Sequence, residues 1–202
     1  MKAIFIHTPK CGGMSMSKVC RDNGILIDPV NQDPKGINER RESNVYTSIE
    51  KEEGIDFSFS FVRNPFDRLV SAWKCRWVSC KKINNKPVNM FNNFNHFVRD
   101  LVLKESDWGF FRWSHTMPFA DPRQKLFDSD GKKILDFIGK LENYEEDFKF
   151  VCKTIGLNQQ SLPHRNKTKH KHYSDYYDSS TKKIAEEFYA KDIEYFGYEF
   201  GE

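Results

Sequence analysis

A lysine followed by two glycines comes directly after the first apolar run of the chain. The loop consists of Pro9, Lys10, Cys11, Gly12, Gly13, Met14 and Ser15. Glycines let backbone N–H groups approach an anion closely, and the N-terminus of a following helix adds a favourable dipole. Lys10 adds a mobile cation that can reach the bridging oxygen of a phosphate ester or anhydride. The pattern favours a phosphate-binding loop, although a glycine pair alone is equally typical of a tight turn.

Two familiar phosphate loops do not match this segment. A P-loop NTPase has its lysine after the glycines, in the order G-x-x-x-x-G-K-[ST], whereas Lys10 precedes Gly12 and Gly13 here. A cysteine-dependent phosphatase would need an arginine six residues after its cysteine, and six residues after Cys11 this chain has Ser17. A nucleotide kinase and a cysteine phosphatase are therefore disfavoured.

A second candidate anion site lies in segment 61–73, which reads F-V-R-N-P-F-D-R-L-V-S-A-W. Arg63 is predicted to be the last residue of a strand, and its planar guanidinium suits bidentate contacts with phosphate oxygens. Ser71 follows about two helical turns later, where its hydroxyl can act as a second donor. The alternative is a structural ion pair between Arg63 and Asp67, with Ser71 solvated.

The elements that must position these motifs alternate between strands and helices. Strands are predicted over 3–7, 24–28, 57–63 and 134–138, and helices over 14–21, 65–78, 94–103, 144–155 and 181–195, with a loop over 84–93. This alternation is typical of an α/β fold with a mainly parallel sheet, in which ligands bind beyond the carboxyl ends of the strands. Both motifs fall at such a strand-to-helix junction.

Capping residues indicate where two of the predicted helices begin. Asn64 and Pro65 are predicted as the N-cap and first residue of one helix. Asn143 is predicted to cap another in a capping box with Glu146, and Gly156 to end that helix.

Length, net charge and cysteine content limit the classes of protein to which the chain can belong. A chain of 202 residues is long enough for one sizeable core and short for two. The net charge of +3 is too small to indicate a nucleic-acid partner. Five cysteines form an odd set without metal-ligand spacing, so we expect reduced thiols, no metal and a cytoplasmic protein. No apolar run approaches the length of a membrane span, so no membrane partner is expected.

In this order and spacing, the two motifs resemble those of sulfotransferases that use 3′-phosphoadenosine-5′-phosphosulfate (PAPS). The likeness is greatest to the carbohydrate-type, sulfotransferase family 2-like branch, whose loop reads like P-K-T-A-G-T-S and whose second motif reads like F-V-R-N-P-x-D-R-L-V-S. The second motif matches almost letter for letter, whereas the loop departs at Cys11, Gly12 and Met14. Segments 136–143 and 192–198 also resemble the family, and 84–129 matches it poorly.

The resemblance implies a P-loop-like three-layer α/β fold with a mainly parallel central sheet flanked by helices. It implies one sulfotransferase domain over 1–202, with 84–130 as an insert on the acceptor side. The donor loop, from Lys10 and Cys11 through Gly12 and Gly13 to Met14 and Ser15, would hold the 5′-phosphosulfate, with Lys10 stabilising charge on the leaving oxygen. Arg63 and Ser71 would hold the 3′-phosphate, helped by Lys167 or Lys169 from the basic segment 164–173, which is equally compatible with a solvated loop.

The activity implied is transfer of a sulfuryl group from PAPS to a hydroxyl or amine, releasing the 3′,5′-bisphosphate PAP without a metal. The acceptor would be a small molecule or a carbohydrate, of unknown identity, and the oligomeric state is not predicted. Transfer also needs a general base. His115, in the poorly matched region, is the first candidate, with Glu50 and His7 as alternatives. A binding protein that keeps the nucleotide site without catalysis is the other interpretation.

Overall fold

The structure of the chain is a computed structural model that describes residues 1–27, 54–84, 86–103, 109–158 and 171–202. The strands are β1 (Ala3–Phe5), β2 (Leu26–Ile27), β3 (Phe57–Val62), β4 (Cys80–Ile83), β5 (Lys86–Asn89) and β6 (Phe137–Lys140). The α-helices are α1 (Gly13–Asp22), α2 (Pro65–Trp73), α3 (Arg76–Ser79), α4 (Phe94–Leu103), α5 (Gly109–Ser114), α6 (Tyr144–Ile155), α7 (Ser179–Phe188) and α8 (Ala190–Phe196). The chain forms two compact units, the first from Met1–Arg63 and Phe119–Thr168 and the second from Asn64–Pro118 and Lys169–Glu202.

The first unit contains a parallel sheet with the strand order β2-β1-β3-β6. All six residues of β3 are buried, as expected for a strand covered on both faces of a parallel sheet. Its two serines satisfy their hydroxyls inside the core, because Ser60 Oγ donates to Ile6 O at 2.7 Å and Ser58 Oγ to Asp136 Oδ2 at 2.7 Å. Helices α1 and α6 pack beside β2 and β6. The predicted α/β fold with a mainly parallel sheet is confirmed.

The last strand of this sheet begins later than predicted. Instead of 134–138, β6 covers Phe137–Lys140 and pairs Phe137 with Phe59. Ile134 N donates to Leu126 O at 3.0 Å, so the start of the apolar run is paired outside the sheet. Asp136 then contacts Ser58 through its side chain rather than through the ladder. Arg63 likewise lies just beyond β3, which ends at Val62.

Helix α6 has the predicted extent, but its predicted capping box is wrong. Asn143 is the N-cap, with φ −110° and ψ 30°, and its side chain makes no capping hydrogen bond. The residue closes a 3₁₀ turn, Leu141–Asn143, and therefore lacks the extended backbone that directs an N-cap side chain toward the first amides. At the other end, Gly156 adopts the left-handed conformation with φ 74°, as predicted for the C-cap.

In the second unit, the predicted start of α2 is confirmed and its predicted end at 78 is wrong. Asn64 Oδ1 accepts a hydrogen bond from Phe66 N at 3.1 Å, and Pro65 is the first helical residue. The helix ends at Trp73, and the extended Cys75 (φ −79°, ψ 113°) starts the separate helix α3. Cys75 and Cys80 therefore do not share one helix, although the apolar spacing continued across the break.

The segment predicted as loop 84–93 contains a strand. Strands β4 and β5 pair antiparallel, with Ile83 opposite Lys86 and Cys80 opposite Asn89. Asn84 occupies the turn with φ 50°, a conformation that two-residue hairpins require and asparagine tolerates. The segment was predicted as a loop because its composition is polar. Helix α4 follows over Phe94–Leu103, as predicted.

The predicted single helix over 181–195 is two helices. Asp178 and Thr181 form a capping box at the start of α7, and Tyr189 (φ −104°, ψ 18°) separates α7 from α8. Tyr189 is fully buried and its hydroxyl donates to Thr116 O at 2.5 Å, so a tertiary contact fixes the break. Ala185 faces the core of this unit, and Phe188 packs against that core.

Candidate functional site

The donor loop and Arg63 leave the first unit's sheet at the same edge. Strands β1 and β3 are parallel neighbours, with Ile4 opposite Ser58, so the segments after Phe5 and after Val62 emerge side by side. Ile6 N continues the ladder by donating to Phe59 O at 2.8 Å. The two motifs found in the sequence therefore begin at adjacent carboxyl ends, where ligands of parallel sheets bind.

The root of the loop is fixed by buried polar contacts. Thr8 is buried, and its hydroxyl donates to Phe61 O and lies 3.3 Å from Ser60 Oγ. Lys10 then adopts φ 70°, a left-handed conformation that is uncommon outside glycine. A strained non-glycine residue is typical of loops whose surroundings fix one conformation.

The two glycines are required for different reasons. Gly12 has φ 75°, and a Cβ there would lie 2.9 Å from Leu141 Cδ1 and 3.3 Å from Tyr144 Cζ. Gly13 does not have a positive φ, but a Cβ there would lie 2.0 Å from His7 Nε2. The imidazole, stacked on Phe5 with ring centroids 5.9 Å apart, thus occupies the space beside Gly13. Neighbouring side chains thus leave no room for a Cβ at either position.

Helix α1 starts at Gly13 with an end suited to an anion. Its N-cap, Gly12, provides no side-chain cap, and its first turn contains no acidic residue. Amides in the first turn of a helix lack acceptors within the helix, and the dipole there favours negative charge. Met14 is exposed at this end, whereas the Ser15 and Cys11 side chains are buried. Cys11 can therefore contribute to ligand binding only through its backbone.

Arg63 reaches the donor loop. Its Nη1 donates to Lys10 O at 3.4 Å, so the guanidinium lies against the same loop from which the Lys10 side chain projects. Two cationic residues and an uncapped helix N-terminus therefore meet in the first unit. This is the arrangement of predicted site residues that the structure brings together.

Tyr144, a residue that sequence reasoning missed, contacts the donor loop directly. Its hydroxyl donates to Gly12 O at 3.2 Å, and its ring packs edge-to-face on Phe61 with centroids 4.8 Å apart. Burial raises the pKa of the Tyr144 phenol, so the hydroxyl remains a donor. The signal available in the sequence was an aromatic residue at the start of the helix that follows β6, the strand beside β3.

The remaining predicted residues lie in the second unit or outside the described residues. Ser71 lies in α2 and is partly exposed between the buried Val70 and Ala72. His115 is partly exposed in the turn after α5, with its Nδ1 3.4 Å from Ser114 Oγ. Lys167, Lys169 and Glu50 lie outside the described residues.

A buried arginine forms hydrogen bonds with the backbone of the turn that contains His115. Arg68 is fully buried, and its Nη1 donates to Met117 O at 2.8 Å and its Nη2 to Ser114 O at 3.3 Å. Thr116 O accepts the Tyr189 hydroxyl. These contacts give the turn a fixed backbone, which the apolar pattern around Arg68 did not predict.

The cysteines of the first unit are not poised as nucleophiles. Cys11, Cys20 and Cys152 are buried and form no disulfide, and burial raises the pKa of Cys20 to about 12. A thiol of this kind is inert near neutral pH, since only the thiolate is nucleophilic. Within the described ranges, no group of three or more His, Cys, Asp or Glu residues could hold a metal ion. No helix among those residues is long and apolar enough to span a membrane.

Comparison with known proteins identifies the family that the chain resembles. A family model described as the sulfotransferase family matches residues 1–199 of the chain. An uncharacterized protein of Archaeoglobus fulgidus is 33% identical over 102 residues, which is 50% of this chain and 69% of that protein. No solved structure matches the chain.

Proposed function

This chain belongs to the sulfotransferase family, and we propose that it transfers the sulfuryl group of PAPS to a hydroxyl or an amine of an acceptor and releases PAP. The observation that carries the proposal is the hydrogen bond from Arg63 Nη1 to Lys10 O. It joins two cationic motifs at the sheet edge from which α1 starts. A donor with separate 5′- and 3′-anionic groups needs two such motifs side by side.

The residues at this edge suit the 5′ end of the donor. The first turn of α1 offers backbone amides and no competing carboxylate or side-chain cap. We assign the 5′-phosphosulfate to the amides of residues 12–15 and to Lys10, and the 3′-phosphate to Arg63 and Ser71. Lys167 or Lys169 is proposed to add a contact with the 3′-phosphate.

Bound PAPS supplies an activated sulfuryl group whose departure leaves negative charge on a phosphate oxygen. Lys10 stabilises that charge as the bond from sulfur to phosphate oxygen breaks and the bond to the acceptor forms, while the α1 amides hold the phosphate. A base removes the acceptor's proton. We propose His115 for this role, with His7 and Glu50 as the alternatives. The acceptor is proposed to be a small molecule or a carbohydrate.

A binding protein without catalysis is the second candidate, because Met14 is 56% exposed at the point where the resembling loops have a threonine hydroxyl. Backbone amides suffice for binding, whereas turnover needs charge stabilisation at the leaving oxygen. All five cysteines are free, which supports the proposal of a reducing, cytoplasmic setting.

Nucleotide binding is tested by thermal shift and calorimetry with PAP, compared with ATP and Mg²⁺. PAP is expected to raise the melting temperature of the wild-type protein, because a ligand that binds the folded state stabilises it. Lys10→Ala should weaken the shift, whereas Lys132→Ala, an exposed lysine in the same unit, should not. Absence of a PAP shift at millimolar concentration, or a larger one with ATP and Mg²⁺, would refute the proposal.

Catalysis is tested with ³⁵S-labelled PAPS and a panel of alcohols, amines and sugars, with hydrolysis to free sulfate as the reference reaction. Lys10→Ala is expected to lower turnover by about 10²- to 10³-fold, the usual cost of losing one group that stabilises transition-state charge. Lys132→Ala is the matched control. PAP binding without label transfer to any acceptor or to water would favour the binding protein instead.

A further inference from the structure

The phenol of Tyr144 forms a hydrogen bond with the backbone of the donor loop. Tyr144 OH donates to Gly12 O at 3.2 Å, and the same oxygen accepts Ser15 N at 3.1 Å and Met16 N at 3.3 Å. Gly12 thus anchors the start of α1 from inside the unit. The Tyr144 ring is in turn fixed by its edge-to-face contact with Phe61 on β3.

The direction of one carbonyl determines the direction of the next amide. In a trans peptide the C=O and N–H groups of one unit point in opposite directions, and the chain has no cis peptide among its described residues. Because Gly12 O points toward Tyr144 and the first turn of α1, the N–H of Gly13 points away from them. That direction is the open N-terminal end of the helix, where an anion is favoured.

We propose that Tyr144 is a positioning residue for the donor site, which orients the Gly13 amide toward the 5′-anion by holding Gly12 O. This inference rests on the proposed function and deepens it. The phenol acts through the backbone and need not touch the ligand. Because Gly12 has φ 75° and lacks a side chain, its peptide is free to rotate unless something holds it. Tyr144 adds a side-chain restraint to the two hydrogen bonds that Gly12 O accepts from α1.

The variant Tyr144→Phe isolates the hydrogen bond, because the ring that packs on Phe61 is kept. Loss of one such bond is expected to weaken PAP binding about three- to tenfold, since its net worth is about 1 kcal/mol. The Michaelis constant for PAPS should rise by a similar factor, with kcat nearly unchanged, because the amide binds ground state and transition state alike. Tyr195→Phe, which alters a tyrosine that is 53% exposed in the second unit, is the matched control.

Calorimetric titration of the wild-type, Tyr144→Phe and Tyr195→Phe proteins with PAP decides between outcomes. Weaker binding by Tyr144→Phe alone, at an apo melting temperature within a few degrees of wild type, supports the inference. Equal affinities for all three proteins overturn it while leaving the proposed function intact. Failure of the wild-type protein to bind PAP overturns the function and, with it, this inference.

A measurement on the wild-type protein covers the case in which Tyr144→Phe does not fold. Amide chemical shifts are followed by ¹H–¹⁵N NMR as PAP is added. The Gly13 amide is expected to shift far more than those of Gly131 and Gly156, which lie in turns of the same unit with nothing near their Cβ positions. An unshifted Gly13 amide would show that it does not face the ligand and would overturn the inference.

Discussion

Replacing Gly13 with alanine tests the packing that shapes the donor loop. The added Cβ would lie 2.0 Å from His7 Nε2 and 2.1 Å from His7 Cδ2. To restore ordinary van der Waals contact at 3.4 Å, the imidazole must retreat by about 1.4 Å and give up its stacking on Phe5. Backbone strain is not at issue, because Gly13 lies at the start of α1 without a positive φ.

The expected loss of stability follows from these distances. Overpacking a filled site costs about 1–3 kcal/mol, and the stacked ring pair contributes about 0.5–1.5 kcal/mol of that. Alanine is a better helix former than glycine by up to about 1 kcal/mol, which offsets part of the loss. We expect Gly13→Ala to lower the free energy of unfolding by about 1–2 kcal/mol. PAP affinity should also fall, because the clash between the new methyl group and His7 pushes against the first turn of α1.

A double-mutant cycle with His7→Ala separates the clash from other effects. If the ring is the obstacle, His7→Ala frees the space that the added methyl group of Gly13→Ala needs, and the double variant should be more stable than the sum of the single changes predicts. The coupling free energy should be at least about 1 kcal/mol, measured by urea denaturation. Additive single and double variants would refute the proposed contact, as would Gly13→Ala with wild-type stability.

Two further predictions concern stability. Asn64→Ala removes the cap to Phe66 N and the hydrogen bond from Asn64 Nδ2 to Glu199 O at 3.1 Å. Urea denaturation should therefore show that the free energy of unfolding falls by about 1–2 kcal/mol. Asn64→Asp keeps the cap and should lose less stability, and equal losses for the two variants would contradict this account. Burial raises the pKa of Cys20 to about 12, above its unfolded value, so its contribution is complete below about pH 8.5 and is lost as pH rises from there toward 12. Cys20→Ala should flatten that decline in denaturation midpoints, whereas the partly exposed Cys75→Ala should not; identical slopes for all three proteins would count against the assignment.

Much of the sheet edge could be predicted from the sequence, because its signals are local. The alternating run of β3 and the Asn64-Pro65 cap lie within a few residues of the features they specify, and both are confirmed. The loop glycines were recognised as an anion-binding pattern, but not the rings beside them. His7 and Tyr144 act on Gly13 and Gly12 through space, and their roles depend on the strand order.

Two of the wrong predictions, the single helix over 181–195 and the early start of β6, share one cause, namely a tertiary contact that overrides a local pattern. Apolar spacing continues from 181 to 195, yet the buried bond from Tyr189 OH to Thr116 O fixes a break between two helices. In the same way, Asp136 contacts Ser58 through its side chain and delays the start of β6. Such contacts join residues far apart in the chain, so no window of sequence contains both partners.

The departures of the donor loop from the pattern it resembles can be explained by its surroundings. Where the resembling loops have alanine, this chain has Gly12 at φ 75°, and a methyl group there would lie 3.3 Å from Tyr144 Cζ. The side chains of Leu141, 2.9 Å from that position, and Tyr144 therefore leave no room for the methyl group, and Tyr144 adds a hydrogen bond to the carbonyl. Cys11 directs its side chain into the core, so its replacement of a hydroxyl residue leaves the backbone amides in place. The side chain that holds the Gly12 carbonyl therefore comes from the neighbouring helix α6 and not from the loop itself.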